Sequence, residues 1–390
     1  MELSAVTFSF FLIFSGAAIL ASIALYTRQP LIIAYIVLGA LLGPHGLSMV
    51  TDVKLLADIS HVGIIFLLFL LGLDMQPQAL WTTLRKSTVV ALLSSAIFLV
   101  VGGAVALLFG FSRFDALVVG AAMMFSSTII GIKLLPTTVL HHRHIGDLMI
   151  GLLLLQDLLA IIVLILLLGS SGGDGASAPG ILQIFLGLPL LLGAALAFVR
   201  LVLLPLITRF DRFHEYIFLL AIGWCLGLAE GAAALGLSEE IGAFIAGITI
   251  ATSPISQYIA VNLKPLRDFF LVLFFFSVGA RFDIALLGEV LVPAAILATL
   301  VLTLKPVTYR FLLKGVSEKR SLAWDLGFRL GQASEFSLLI AYVAAAGAVI
   351  SNQASLLIQA TTIITFFVSS YIVVLNYPTP IAISDHLRRD

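Results

Sequence analysis

The feature that most restricts the fold is a series of apolar runs, each long enough to cross a bilayer, that follow one another along the whole chain. Crossing the hydrocarbon core takes about 20 apolar residues in a helix, and inside a bilayer only helices and closed barrels satisfy their own backbone groups. Of the 390 residues, 61% are hydrophobic and 11% are charged, which is too apolar for a soluble domain. The sequence therefore predicts an all-α polytopic membrane protein.

About thirteen of these runs are predicted to be transmembrane helices. Several are short or carry internal glycine and proline, a pattern typical of transporters with interrupted helices. The predicted spans are roughly 6–26, 30–43, 55–73, 87–110, 115–135, 145–169, 180–206, 215–236, 238–252, 266–280, 288–314, 322–348 and 355–377.

The positive charges predict the orientation. Fifteen Lys and Arg residues fall in one set of alternate loops and ends, whereas Lys54, Arg113 and Arg281 alone fall in the opposite set. By the positive-inside rule the first set is cytoplasmic. We therefore expect a transmembrane domain over 1–380 with its N-terminus outside, a short cytoplasmic tail at 381–390, and a location in the plasma membrane, the inner membrane of a bacterium.

An internal repeat relates the two halves at an offset near 207 residues. "ALVVGAAMMFSST" (116–128) aligns with "AWDLGFRLGQASE" (323–335). The offset covers an odd number of spans, so equivalent helices cross in opposite directions and the repeat is inverted, as in many secondary transporters. The aligned pairs are Gly72 with Gly279, Gly120 with Gly327, Ser127 with Ser334, and, at slightly longer offsets, Pro44 with Pro254 and Asp74 with Asp283.

Two equivalent segments, 120–131 and 327–338, combine small and polar residues at mid-membrane depth. One contains Ser126, Ser127 and Thr128, and the other contains the stretch 332–335, "QASE". Freed backbone groups at that depth are tolerated only where protein or a wet cavity surrounds them. Paired interruptions of this kind predict an ion site near the membrane midplane.

Four charged residues lie deep in predicted spans, where a charge costs about 2.5–3.5 kcal/mol even on insertion scales. Asp157, in "GLLLLQDLLAIIVLILLLG", has apolar neighbours on both sides and is assigned to ion chemistry. Lys305 and Glu335 are open to two interpretations, as partners in a structural ion pair or as parts of the ion site. Arg329 is interpreted as structural.

The residues around Asp157 suggest which ion the site takes. A carboxylate can hold a proton or a bare cation, and not both at once, and hard cations prefer oxygen ligands. The hydroxyls of Ser127 and Thr128, with Ser126, Gln156 and freed carbonyls, supply such oxygens. We therefore predict a monovalent cation at Asp157 in competition with a proton.

The ordered motifs resemble those of Kef-type potassium/proton antiporters, in the second cation:proton antiporter family, over nearly the whole chain. The resemblance implies the thirteen-helix sodium/proton antiporter fold with two crossed unwound helices, 115–135 and 322–348. It also implies a transport core, roughly 55–169 and 266–377, and a dimerisation scaffold, roughly 6–43 and 180–252. The motifs are "LLGPHGL" (41–47), "IIFLLFLLGLD" (64–74), "FSSTIIGIKLL" (125–135), "LLLLQDLLAI" (152–161), "LSEEIGAFIAGITIA" (237–251), "LFFFSVGARFD" (273–283) and "LGQASEF" (330–336).

The resemblance assigns the ion-binding aspartate to Asp157 and the salt-bridging lysine of the sodium branch to Lys305. That branch has an aspartate where this chain has Gln156, so Lys305 loses its partner and Glu335 is the candidate replacement. The resemblance does not extend to a nucleotide-binding domain within the 390 residues, so no nucleotide or other cofactor is expected.

These observations predict an electroneutral antiporter of a monovalent cation and protons, with K⁺ favoured over Na⁺, working as a homodimer by alternating access. A channel-like potassium efflux protein and a sodium-coupled symporter on the same fold remain alternatives, and an enzyme is not expected. The expected partners are monovalent cations, protons and membrane lipid, without nucleic acid, since 21 basic residues balance 21 acidic ones. Whether a separate regulatory subunit exists is left open.

Overall fold

The computed structural model describes residues 2–27, 29, 31–50, 53–74, 77–134, 144–171, 178–210, 212–235, 237, 239–251, 253, 255–282, 287–316 and 318–379. The predicted tail at 381–390 and the aligned residues Pro254 and Asp283 lie outside these ranges. The helices are α1 Glu2–Tyr26, α2 Leu31–Leu42, α3 Val53–Asp74, α4 Pro77–Leu108, α5 Arg113–Met123, α6 Thr128–Lys133, α7 His144–Ser171, α8 Ala178–Phe198, continued by a π-helical turn Val199–Leu203 into α9 Leu204–Arg209, α10 His214–Ala234, α11 Glu239–Ala251, α12 Ser256–Ala280, α13 Leu287–Gly315, α14 Arg320–Arg329, α15 Glu335–Ala346 and α16 Asn352–Asn376.

The predicted spans are confirmed, because each coincides with one helix or with consecutive helices of one run. The spans predicted to be interrupted, 115–135 and 322–348, are the pairs α5–α6 and α14–α15. Among the described residues, six helices are long and apolar enough to cross a membrane, and shorter apolar helices such as Leu31–Leu42 and Glu335–Ala346 accompany them.

One compact unit comprises Met1–Met49, Trp81–Leu167 and Val278–Asp390. Within it α13 packs along α14 and α16, and α15 packs along α16. Both interrupted helices belong to this unit. Its hydrophobic core brings together residues from α4, α7, α13 and α14, among them Phe98, Met149, Leu152, Tyr309 and Leu326.

The other compact unit comprises Val50–Leu80 and Leu168–Ser277. Its centre is α11, which packs against α3, α8 and α10. The indole Nε1 of Trp224 on α10 donates to the carbonyl oxygen of Ala246 at 3.2 Å, and its ring stacks on Phe198 with centroids 5.1 Å apart.

The two units differ from the predicted grouping of helices in a few elements. The prediction placed 55–73 in the transport core and 6–43 in the scaffold. In the structure α3 belongs to the unit built around α11, and α1 and α2 belong to the unit with the interrupted helices. Which unit transports the ion and which one dimerises stays a prediction.

Glycines at an offset of 207 residues make equivalent contacts in the two halves. A Cβ on Gly72 of α3 would strike the carbonyl of Phe244 on α11, and a Cβ on Gly279 of α12 would strike the carbonyl of Ile36 on α2. Close helix packing through small residues is typical of membrane proteins. The same close approach therefore occurs twice, once in each half.

The two interrupted helices also contain glycines 207 residues apart that make close contacts with a neighbouring helix. A Cβ on Gly120 of α5 would strike the carbonyl of Leu99 on α4, and a Cβ on Gly327 of α14 would lie 2.9 Å from Cα of Pro306 on α13. Because both glycine pairs keep one offset and one type of contact, the predicted internal repeat is confirmed.

The N-terminal end of the first interrupted helix is tied to α16 by a carboxylate. Asp115, in the first turn of α5, accepts hydrogen bonds from the backbone N–H of Ser351 at 2.9 Å and from its hydroxyl at 3.1 Å. Ser351 is the N-cap of α16, so one carboxylate holds the starts of two helices together.

We expect Gly247→Ala to lower the thermal stability of the purified protein. A Cβ on Gly247 would strike the carbonyl oxygen of Phe69 and would lie 2.8 Å from Cα of Gly72, so α3 and α11 would have to separate. Overpacking of this kind costs about 1–3 kcal/mol. The matched control is Gly223→Ala in α10 of the same unit, where a Cβ would meet no heavy atom within 4 Å. Equal melting temperatures for the two variants would contradict this packing.

Candidate functional site

The site is built where the two interrupted helices break. The first break covers residues 124–127 and the second covers 330–334. A serine caps the N-terminus of the helix that follows each break. Ser127 Oγ accepts from the N–H of Ile130 at 3.1 Å, and Ser334 Oγ accepts from the N–H of Phe336 at 3.1 Å. Serine is a preferred N-cap residue because its side chain satisfies backbone donors that the helix leaves unpaired. These two serines fix where α6 and α15 start.

Asp157 lies in the middle of α7 and is 1% exposed. The hydroxyl of Thr128, the first residue of α6, lies 3.3 and 3.2 Å from the two carboxylate oxygens of Asp157. A buried carboxylate beside the N-terminus of a helix meets the positive end of the helix dipole, which stabilises negative charge. The carboxylate of Asp157 can therefore carry its negative charge here, and either a cation or a proton can neutralise it.

Gln156, on α7, links the first break to α7 and α13. Its Oε1 accepts from the backbone N–H of Ser126 at 3.0 Å, and its Nε2 donates to the hydroxyl of Tyr309 on α13. Both Gln156 and Tyr309 are fully buried, and the ring of Tyr309 packs edge-on against Phe98 with centroids 6.0 Å apart. The amide oxygen predicted to be an ion ligand is thus already bonded to the backbone.

Lys305 joins both breaks through its ammonium group. Its Nζ donates to the carbonyl of Phe125, to Ser126 Oγ at 3.2 Å and to the carbonyl of Gln332 at 2.9 Å. An ammonium has three hydrogens, and these three neutral oxygens take them all. The prediction that Lys305 pairs with Glu335 is therefore wrong, because the oxygens freed by the two breaks are the better-placed acceptors.

Further side chains link one break to the other. Each bond joins a serine or glutamine side chain to a backbone carbonyl of the other interrupted helix, so the two breaks stabilise each other. The donors and acceptors are Ser126 Oγ with the carbonyl of Leu330 at 2.8 Å, Gln332 Nε2 with that of Ser127 at 3.5 Å, and Ser337 Oγ with that of Ala122.

Glu335 is the first residue of α15 and is partly exposed. Ser334 Oγ lies 3.5 Å from its Oε2. The three acceptors of the Lys305 ammonium do not include Glu335.

Arg329, at the end of α14, forms hydrogen bonds outside the two breaks. It is 2% exposed, and its guanidinium donates to Asp325 Oδ1 at 2.7 Å, to the carbonyl of Leu134 at 2.7 Å and to that of Pro378 at 2.8 Å. These bonds tie together α14, the residue after α6 and the segment after α16. The structural interpretation of Arg329 agrees with this geometry.

The five residues predicted to bind the ion, Ser126, Ser127, Thr128, Gln156 and Asp157, are brought together, but in different roles. Thr128 contacts the carboxylate of Asp157 directly, whereas Ser126 and Gln156 form hydrogen bonds with the backbone and Ser127 caps a helix.

Sequence reasoning missed Tyr309, which lies one helical turn from Lys305. It also missed the buried hydroxyls of α16, where Thr365 Oγ1 accepts from the N–H of Ala333 and Ser369 donates to Gln332 Oε1, each at 3.0 Å. Hydroxyl residues at helical spacing in an apolar helix were the available signal.

We expect Lys305→Met to destabilise the protein and Glu335→Gln to have an independent effect. Losing the ammonium leaves the carbonyls of Phe125 and Gln332 without this donor, at a cost of about 1–3 kcal/mol for each buried acceptor. Melting temperatures of the two single variants and the double variant test this, with Lys314→Met, exposed at the end of the same helix, as control. Independent sites give additive losses, so partial recovery in the double variant would show that Lys305 and Glu335 do interact.

Comparison with known proteins agrees with this geometry. The chain is 30% identical to K(+) efflux antiporter 4 of Arabidopsis thaliana, covering 86% of this chain and 57% of that protein. It is 28% identical to the putative cation/proton antiporter YbaL of Escherichia coli, covering 83% of this chain and 60% of that protein. The chain thus spans about three fifths of the length of these relatives.

The fold also matches a solved structure. The sodium proton antiporter MjNhaP1 from Methanocaldococcus jannaschii superposes with a TM-score of 0.73 over 96% of each chain at 17% sequence identity. The predicted antiporter fold is therefore confirmed. The family described as "Sodium/hydrogen exchanger, transmembrane" matches residues 10–375, which is nearly the whole chain. As the motifs predicted, the chain belongs to the transmembrane sodium/hydrogen exchanger family.

Proposed function

We propose that this protein exchanges a monovalent cation for a proton across the membrane by alternating access, with K⁺ as the favoured cation and Na⁺ as the second choice. The observation that carries the proposal is the carboxylate of Asp157, 1% exposed, at the break of the first interrupted helix and beside the hydroxyl of Thr128. Charged residues inside a membrane mark ion or proton pathways. Asp157 is the group that both ions share.

Competition for one carboxylate couples the two ions. A bare carboxylate is costly away from water, so Asp157 crosses the membrane with either a cation or a proton bound. Oxygen ligands suit hard cations, and the hydroxyl of Thr128 lies within 3.3 Å of both carboxylate oxygens. Because a cation and a proton cannot occupy Asp157 at the same time, release of one allows the other to bind.

The charges around Asp157 support an electroneutral cycle. Gln156 is neutral, and the ammonium of Lys305 is held by three neutral oxygens. Asp157 loaded with a monovalent cation and Asp157 loaded with a proton carry the same charge. A cycle that moves one loaded form in each direction therefore moves no net charge and does not respond to the membrane potential.

The relatives support the choice of cation and the class of activity. Those reported above are named as a K(+) efflux antiporter and a putative cation/proton antiporter. We further propose a homodimer in the plasma membrane with a cytoplasmic C-terminus, based on the charge distribution and the family resemblance. A channel would pass the cation without moving protons, and a symporter would need an organic solute. The experiments below separate both from an antiporter.

We expect Asp157→Asn to abolish cation-driven proton movement, because an amide cannot exchange a proton for a cation. The measurement is the internal pH of proteoliposomes after K⁺, Na⁺, Li⁺ or Rb⁺ is added outside. Asp268→Asn is the matched control, since the side chain of Asp268 is 58% exposed and pairs with Arg267 at 3.1 Å. Proton movement near the wild-type rate in Asp157→Asn would rule out Asp157 as the shared group.

We expect wild-type exchange to carry no steady current and to proceed at the same rate at any clamped membrane potential. Moving one net charge per cycle would couple the cycle to about 2.3 kcal/mol per 100 mV. A solid-supported membrane measures the current, and proteoliposomes at a set potential measure the rate. Gln156→Asp is the informative variant, because it adds a second carboxylate next to Ser126, which Lys305 also contacts. A wild-type current that reverses with the ion gradient would disprove electroneutrality.

A further inference from the structure

Two neighbouring residues of α7 hold the first break at two points. Gln156 Oε1 accepts from the backbone N–H of Ser126 at 3.0 Å. The hydroxyl of Thr128 lies 3.3 and 3.2 Å from the two carboxylate oxygens of Asp157. These two contacts together set how the break is aligned along α7. A change at the first contact therefore alters where Thr128 lies relative to Asp157.

The first contact requires the amide of Gln156 to face one way. The backbone N–H of Ser126 is a donor, so it has to face Oε1, and Nε2 then needs an acceptor on its other side. That acceptor is the hydroxyl of Tyr309 on α13. Gln156 and Tyr309 are both 0% exposed, so bulk water reaches neither of them. The hydroxyl of Tyr309 thus favours the one amide orientation that holds Ser126.

The hydroxyl and the ring of Tyr309 have separate contacts. Its ring packs edge-on against Phe98 with centroids 6.0 Å apart, whereas its hydroxyl accepts from Gln156. Lys305, one helical turn earlier on α13, donates directly to Ser126 Oγ at 3.2 Å. Helix α13 therefore acts on Ser126 twice, directly and through Gln156. Removing the hydroxyl alone interrupts the second route and leaves the ring packing in place.

From these contacts we propose that Tyr309 is a positioning residue for ion exchange. Its hydroxyl orients the amide of Gln156, and that amide keeps Thr128 aligned with the carboxylate of Asp157. This inference rests on the proposed function and adds to it a residue that touches neither ion. When a site is aligned for only part of the time, its apparent affinity falls in proportion to the aligned fraction. Losing the hydroxyl therefore weakens cation binding, while a loaded Asp157 exchanges its ion as before.

The test begins with Tyr309→Phe, measured as cation-driven proton movement in proteoliposomes with K⁺ and Na⁺ as the cations. We expect the KM for the cation to rise about tenfold, the factor that one buried hydrogen bond is worth, with little change in kcat. Tyr371→Phe is the matched control. Its hydroxyl donates to the carbonyl of Thr27 at 3.3 Å, so this variant also loses one hydrogen bond but keeps the wild-type KM.

Two double-mutant cycles separate positioning from a purely structural role. Residues that act through one another give non-additive effects. Tyr309→Phe should therefore raise the KM in the wild-type background and add nothing in Gln156→Met, where no amide is left to orient. It should also add nothing in Thr128→Val, where no hydroxyl is left to align. The second cycle replaces the first if Gln156→Met does not fold.

Three results would overturn the inference and leave the proposed function standing. They are a wild-type KM in Tyr309→Phe, a loss of kcat with the KM unchanged, and the same rise in KM in all backgrounds. Wild-type protein that exchanges none of the cations would overturn both.

Discussion

Two helices of one compact unit are interrupted, and every backbone group freed inside a membrane protein needs a partner where water is scarce. The rest of the site follows from how this need is met. The ammonium of Lys305 takes a carbonyl from each break, Gln156 and Thr365 accept from the freed N–H groups of Ser126 and Ala333, and serine hydroxyls take further carbonyls. Side chains from four helices, α7, α13, α15 and α16, are committed to the two breaks.

Most of the polar residues at the breaks hold the backbone in place. Gln156 precedes Asp157 in the chain, and Ser126 lies close in sequence to Thr128, the hydrogen-bond partner of Asp157. The side chains of Gln156 and Ser126 are nevertheless bonded to backbone groups. Thr128 and Glu335 begin the helices that follow the two breaks, and the hydroxyl of Thr128 reaches the carboxylate of Asp157. The ammonium of Lys305 is bonded to neutral oxygens and not to a carboxylate.

The sequence was sufficient for the spans, the repeat and the two breaks, because apolar run length and the spacing of glycine and serine carry that information. It also drew attention to Asp157, since an acid in the middle of a long apolar run has few explanations. It could not establish the partner of Lys305. Charge complementarity favoured Glu335, but the choice depends on which oxygens the chain brings within 3 Å, and backbone carbonyls have no signature in the sequence. Tyr309 was missed for the same reason, because its hydroxyl matters only through its contact with Gln156 on another helix.

The bonds between the breaks have a mechanical consequence. An interrupted helix is an obvious place for a chain to bend, but here each break is fastened to the other by Lys305, Ser126 and Ser337, and Asp115 ties the far end of α5 to α16. Bending at either break would leave several buried carbonyls unpaired at once, at about 1–3 kcal/mol each. The crossed segments therefore form a stiff joint. A displacement of one crossed helix therefore has to carry the other with it.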